Sequence, residues 1–316
     1  MRKYISMALT VIITITLSIL GFVLGGFTLS DTQKDILIVL LIICGSSALY
    51  CFVVGEISRN NSQMDKLWSL LPIAYTWVVA IMGGMDIRLI IYASIVTLWG
   101  IRLTFNFARK GAYRLKFWEG EEDYRWELLR QTKFFKSKIA WAGFDLFFIC
   151  IYQNALVLAM TLPMLACVGS VAPINVFDII ATTTALLFLV LEFVADEEQW
   201  KFQETKKKLL KEGKSLSELD APYYLGFNTT GLWKYMRHPN YLGEQAIWVC
   251  LYVFVIAAEA TQYGVFNWTL FGPMFIILLF LGSSTFGESI SSKKYPKYKD
   301  YQAKVFKYIP IRGYKE

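Results

Sequence analysis

Residues 36–55 read ILIVLLIICGSSALYCFVVG, twenty positions without one charged side chain. Crossing about 30 Å of hydrocarbon takes roughly 20 helical residues, so this block predicts a membrane-spanning helix. Further charge-poor blocks fall at 4–29, 67–83, 88–108, 139–162, 174–195, 240–260 and 268–287. Apolar residues make up 55% of the 316 and charged residues 18%, against about 45–50% and about 25% in soluble domains. A soluble globular enzyme is excluded. An outer-membrane barrel is excluded as well, because its strands alternate apolar and polar residues instead of running continuously apolar. The expected fold is all-α and integral to the membrane, a multi-pass bundle of about eight transmembrane helices, within a range of seven to nine. The first block follows Arg2 and Lys3 as a signal sequence would, but it is about 25 residues long and lacks an Ala-x-Ala cleavage pattern, so it reads as a retained anchor.

Eight crossings with a cytoplasmic N-terminus sort the basic residues sharply. Lys and Arg number two at the N-terminus, two at 56–66, nine at 109–138, eight at 196–238 and eight at 293–315, which is 29 of the 32. Outside segments hold only Lys34 and Arg88, and Arg102 sits within a helix. This positive-inside pattern predicts both termini in the cytoplasm, of either a bacterial inner membrane or the endoplasmic reticulum. It also accounts for the net charge of +7 without nucleic acid as a partner. The long basic segments 109–138 and 196–238 mix aromatics with charges of both signs and read as short interfacial helices.

Metal chemistry finds no support. Cys44, Cys51, Cys150, Cys167 and Cys250 lie in or beside apolar blocks with no CxxC pair, as buried small hydrophobes do. His238 is the single histidine, which removes every multi-histidine metal site. Gly21 and Gly25 form a GxxxG pair that reads as helix packing.

Ionisable side chains inside apolar helices are costly and face a cavity or a partner. Four helical faces carry them. Arg102, Asn106 and Arg109 share one face, as do Asp145, Tyr152 and Gln153; Glu192, Asp196 and Gln199; and Asn240 with Glu244. Each stripe is strongest near the cytoplasmic end, which predicts a polar cavity open to the cytoplasm. The competing account is that these groups pair with one another and only set helix register.

The densest chemistry lies at 231–244, GLWKYMRHPNYLGE. Pro239 suits the first turn of a helix, with His238 or a neighbour as its cap. The free N–H groups of such a helix start attract phosphate, and Arg237 adds a fork of donors. Trp233, Tyr235 and Tyr241 offer flat surfaces for a nucleobase or nicotinamide ring. Glu244, one turn in, can accept from an amide or a ribose hydroxyl. The alternative is a loop-to-helix entry with interfacial aromatics and a basic flank.

This run resembles the C-terminal signature of the steroid 5α-reductase superfamily. The resemblance extends in pieces over roughly residues 60–312. Asp65-Lys66-Leu67-Trp68 precedes Pro72 as an acid precedes a proline in those enzymes. Trp99-Gly100-Ile101-Arg102 with Arg109-Lys110-Gly111 resembles their aromatic-x-x-Arg helix and its basic exit. Glu192 to Trp200 resembles the helix whose acid contacts the cofactor, and Tyr295-Pro296-Lys297-Tyr298 through Ile309-Pro310 resembles their tail. The resemblance implies an N-terminal transmembrane hairpin, 1–60, followed by a reductase-like catalytic domain, 61–316. It implies NADPH held in a pocket open to the cytoplasm and a hydrophobic lipid substrate entering from the bilayer. Arg102, Arg109, Asp196, Asn240, Tyr241 and Glu244 would hold the cofactor, and Asp65 would polarise the substrate carbonyl. The sequence departs from the family at Trp99, where the steroid enzymes place a tyrosine; Tyr75, Tyr92 or Tyr152 is a candidate for the missing hydroxyl. In the tail, Glu288 and Ser292 stand where those enzymes carry histidine.

Two other readings compete. Isoprenylcysteine and lipid methyltransferases carry a similar Arg-His-Pro-x-Tyr-x-Gly run that binds S-adenosylmethionine, but Asn240 and Glu244 favour the reductases. A non-catalytic lipid-binding protein or transporter is the second; no internal repeat is visible, and the polar residues cluster at one membrane side.

Overall fold

The computed structural model describes residues 2–261 and 264–315, with side chains from residue 7 onward. Helices and connecting turns build the chain. Among the described residues, seven helical spans are long and apolar enough to cross a membrane: Met7–Gly25, Asp31–Ser58, Ile87–Ala108, Lys138–Ala166, Val176–Lys211, Pro239–Ala257 and Trp268–Lys294. The protein is therefore an all-α, multi-pass membrane protein. In chain order we number the helices α1 (Arg2–Gly25), α2 (Asp31–Ser58), α3 (Gln63–Leu67), α4 (Leu71–Met82), α5 (Ile87–Ala108), α6 (Tyr124–Arg130), α7 (Lys138–Phe144), α8 (Gln153–Ala166), α9 (Val176–Lys211), α10 (Pro239–Ala257), α11 (Phe271–Lys294) and α12 (Tyr298–Lys304).

Local chemistry sets the boundaries. Ser30 and Gln33 form a capping box at the start of α2, and Asp86, Asp123 and Ser137 cap α5, α6 and α7 with their side chains. The block at 67–83 departs from expectation. It is helical only as α4, 12 residues long, which is about 18 Å and too short to cross alone. Pro72 explains the break. It lacks an N–H, and its ring would clash with the carbonyl of Trp68, so α3 stops at Leu67 and the helix restarts at Leu71.

Two further segments differ from the helices read in the sequence. Residues 196–211 do not form a separate interfacial helix; they extend α9, whose 36 residues reach about 54 Å, well beyond the hydrocarbon. Residues Asp145–Tyr152 wind as a π-helix between α7 and α8. The wider turn rotates the positions after Asp145, so Asp145 and Gln153 are buried while Tyr152 is 36% exposed. Tyr152 thus leaves the stripe expected for it and stacks on Phe148 at 5.4 Å.

The chain groups into two compact units, one of Met1–Val11, Thr183–Val249 and Ile276–Glu316, the other of Ile12–Thr182 and Cys250–Phe275. In the second, α4 packs along α5 and α8, and α2 along α8. Gly21 and Gly25 admit the backbone before α11: a Cβ would lie 2.7 Å from the Asn267 carbonyl oxygen at Gly21 and 2.6 Å from Asn267 Cα at Gly25. The glycine pair therefore receives a turn, where the sequence suggested another helix. Arg88, expected to be an exterior loop charge, is 2% exposed and paired with Asp178 at 2.7 Å.

Candidate functional site

In the unit of Thr183–Val249 and Ile276–Glu316, the start of α10 lies on α9. Gly243 makes the approach possible, since a Cβ there would meet Glu192 Cβ at 2.7 Å and the Phe188 carbonyl at 3.0 Å. Pro239 is the first residue of α10, and the His238 carbonyl accepts from Leu242 N at 3.1 Å. Asn240 Nδ2 donates to Asp196 Oδ1 at 3.2 Å, so two sequence-predicted residues 44 positions apart meet. Glu244, one turn on and 4% exposed, accepts from Trp248 Nε1 at 3.1 Å. His238 and Tyr241 stack at 5.1 Å with 15° between their planes, and Phe280 meets Tyr241 edge-on at 4.7 Å.

The 231–238 segment is held from both sides. Trp233 Nε1 donates to the Ala195 carbonyl at 3.0 Å, and Leu232 N to Glu198 Oε2 at 2.8 Å. Gly231 has φ +55° and would drive a Cβ to 2.0 Å from the Glu198 carboxyl, so this turn needs glycine twice over. Glu198 escaped the sequence reading because it is one acid in the run Asp196-Glu197-Glu198. On the other side, Arg237 N donates to Phe306 O and His238 N to Lys307 O, both at 3.1 Å, and Tyr314 N to Lys234 O at 2.8 Å. Tyr301 OH donates to the Trp233 and Met236 carbonyls. Leu225, Phe227, Tyr298, Tyr301, Val305 and Tyr314 form the apolar cluster beneath this strap. Tyr235 is 45% exposed and lies beside Lys234.

Arg237 is engaged by the tail. Its Nε donates to Glu288 Oε1 at 2.7 Å, and its Nη1 to the carbonyls of Gln302 and Val305. His238 Nε2 lies 3.0 Å from the same Glu288 oxygen, and Gln302 donates to the other at 2.8 Å. Burial holds the His238 imidazole below its ordinary value, with Glu288 pulling the other way. The fork of donors expected for an anion is thus directed at Glu288, a residue fully enclosed by the fold.

In the other unit, Asp65 lies on α3. Its Oδ2 accepts from Trp126 Nε1 at 2.9 Å, and Arg125, itself on Asp123 at 2.8 Å, approaches to 3.9 Å. Burial pushes the Asp65 carboxyl above the usual carboxylate range, and Arg125 opposes that shift. Beside it, Lys66 Nζ donates to the Phe117 and Glu119 carbonyls, both at 2.7 Å, and burial lowers it to about 8. Trp99 is fully buried on α5 and Arg102 is 8% exposed. Arg109 donates to Asn106 Oδ1 through Nε at 3.0 Å and Nη2 at 2.7 Å, as their shared helix face predicts. Tyr75 and Tyr92 are fully buried. Among the described residues no group of three or more His, Cys, Asp or Glu is disposed to hold a metal ion.

Apolar helices carrying buried carboxylates and amides where α10 meets α9 define a multi-pass membrane protein with a polar interior. Residues 51–305 match a protein family of unknown function, DUF1295, and the chain belongs to that family. The uncharacterized protein C594.04c of Schizosaccharomyces pombe is 34% identical over 284 residues, covering 83% of this chain and 78% of the relative. No solved structure matches.

Proposed function

We propose that this protein is a membrane oxidoreductase that transfers a hydride from NADPH to a polarised C=C of a hydrophobic lipid or steroid-like substrate drawn from the bilayer. The observation that carries the reading is the Asn240–Asp196 contact at 3.2 Å, which joins two stretches, 192–200 and 231–244, that resemble the steroid 5α-reductases. Bound NADPH would supply the hydride; the protein supplies position, desolvation and charge. Asp196, Asn240 and Glu244 present the acceptors and the donor that an amide and ribose hydroxyls require. The His238–Tyr241 stack offers a flat surface to a ring. Trp233 and Arg237 act one step back, holding the loop and tail around the start of α10, and Tyr235 takes the exposed side. Arg102 and Arg109 stay candidates for the phosphates on the resemblance alone.

Asp65 is the group we assign to the substrate carbonyl, with Trp126 Nε1 fixing one of its oxygens at 2.9 Å. Reduction of an enone builds negative charge on that carbonyl, and a carboxyl kept neutral by its surroundings can donate to it. Trp99 stands where the steroid enzymes have a tyrosine, so the lipid differs from theirs at the carbonyl end. Counting the 67–83 block as a crossing gives eight, and the distribution of 29 of 32 basic residues then favours both termini in the cytoplasm. A bacterial inner membrane and the endoplasmic reticulum both fit.

Thermal unfolding of the detergent-solubilised protein with NADPH, NADH or S-adenosylmethionine tests the reading. A ligand that binds only the folded state adds about 2.7 kcal/mol at a hundredfold excess over its Kd. A rise in midpoint with NADPH that Glu244→Gln weakens supports the reductase. A rise with S-adenosylmethionine alone replaces it with the methyltransferase, and no rise with any of the three leaves a lipid-binding protein.

A further inference from the structure

The end of α2 borders a cleft that the reading above does not use. Its volume is about 450 Å³, within the roughly 300–1,000 Å³ of small-molecule sites. Ser58, Arg59 and Asn60 line one side, and Trp118, Glu119 and Glu122 the other. The two sides are bolted together. Four consecutive carbonyls of the second accept from side chains that follow α2: Lys66 Nζ reaches Phe117 O and Glu119 O, both at 2.7 Å, Gln63 Nε2 reaches Trp118 O at 3.0 Å, and Asn60 Nδ2 reaches Gly120 O at 3.0 Å. Asn61 N donates to Glu122 Oε1 at 2.8 Å, and Asp123 N to Ser62 Oγ at 2.9 Å. Gly120 permits the turn, with φ +123° and only 2.1 Å between an added Cβ and the Ala112 carbonyl oxygen. Walls fixed in this way lose little freedom on binding, which favours affinity.

The charges on the walls are unequally spent. Glu122 is bonded to Arg130, and Glu119 pairs with Lys116 at 3.3 Å. Both members of the Glu119 pair are exposed, and such a pair is worth little and is readily exchanged. Arg59 is exposed, and its guanidinium has no hydrogen-bond or ion-pair partner among the described residues. It is the uncommitted charge of the cleft, and its planar fork matches a phosphate. Depth indicates which phosphate. The 28 residues of α2 span about 42 Å, against about 30 Å of hydrocarbon and about 40–45 Å with the headgroups included. Its last turn therefore lies at headgroup level, where tryptophan is also enriched, and Trp118 is half-exposed there. Leu49, Val53 and Ile57, spaced four apart on α2, are exposed and give acyl chains an apolar stripe that ends beside Ser58.

We propose that this cleft binds the headgroup of a zwitterionic phospholipid of the phosphatidylethanolamine type. Arg59 holds the phosphodiester, Trp118 shields that pair from water, and Glu119 takes the ammonium in place of Lys116. The inference stands apart from the reductase reading, since every group in it belongs to the loops 58–66 and 115–123.

Native mass spectrometry of the full chain, released from detergent micelles to which phosphatidylethanolamine has been added, counts the lipids retained. One should saturate on the wild type. Arg59→Asn removes the guanidinium and keeps a residue tolerant of the left-handed conformation there, φ +58°. It should weaken retention about tenfold, as loss of a charge-assisted hydrogen bond does, and Trp118→Ala should weaken it less. Arg114→Gln, at an exposed arginine outside the cleft lining, should leave it unchanged. If Arg59→Asn does not fold, Glu119→Gln decides: it should weaken retention of phosphatidylethanolamine and not of phosphatidylglycerol. Equal retention by the wild type and Arg59→Asn, or phosphatidylglycerol held as tightly as phosphatidylethanolamine by the wild type, overturns the proposal. So does displacement of the lipid by inorganic phosphate, which would make the cleft a site for free phosphate.

Discussion

Asp178 and Glu288 are both buried carboxylates that hold an arginine, yet their surroundings give them different properties. Asp178 takes Arg88 through Nε at 2.7 Å and Nη2 at 3.0 Å, while Ser170 and the carbonyls of Ala172, Pro173 and Ala257 take the rest of the guanidinium. Glu288 takes Arg237 through Nε and gives the same oxygen to His238. The second set includes the side chain most prone to titrate near neutral pH, one residue before α10. A closed ion pair staples a fold, whereas a carboxylate shared between arginine and histidine couples the loop, the tail and the start of α10 to proton activity.

The comparison can be broken at three points, in falling order of effect. Replacing Arg88 with Met should cost about 3–5 kcal/mol, because Asp178 would be left buried without its partner. The thermal midpoint in detergent reads this, and a loss no larger than that of a surface arginine variant would show that Asp178 is not an isolated charge. Glu288→Gln should cost less, about 1.5–3 kcal/mol, since glutamine keeps the shape and one acceptor while the charge-assisted bonds are lost. Limited proteolysis should then cut between α12 and the C-terminus faster than in wild type. Equal cutting rates would mean that the apolar cluster around Tyr301, and not Glu288, holds the tail.

The smallest effect is the pH dependence of His238. Because burial holds the folded imidazole below the ordinary 6.5, the unfolded chain binds the proton more readily than the folded one. Stability from neutral His238 is therefore complete above that value and declines as pH falls through it and below. Midpoints measured from pH 7 to pH 5 should drop, and His238→Gln should flatten part of the slope. An unchanged slope in the variant would assign the acid sensitivity to other groups.

Several features were legible because they are local. The uninterrupted apolar run at 36–55 became α2, and Pro239 marked the start of α10. The i, i+3 spacing put Asn106 on Arg109. Others were hidden by the same locality. The block at 67–83 looked like a crossing because hydropathy averages over Pro72, whose effect falls on the backbone four residues earlier. Tyr152 was placed on the Asp145 face by assuming the α-helical period, and no feature of the sequence announced the π-helix. Arg237 looked available to a phosphate because Glu288 lies 51 residues on, with no local spacing to mark it as a partner.

By itself the sequence determined a multi-pass helical membrane protein and where its long helices lie. Those properties are sums over about twenty neighbouring residues, set by hydrophobic length, prolines and caps. Only the tertiary structure decided which charges are spent on the fold and which remain at the site. Arg88 finds Asp178 across 90 positions and Asn240 finds Asp196 across 44. A hydrogen bond depends on approach to about 3 Å, and in this chain the packing of helices far apart in sequence sets that approach.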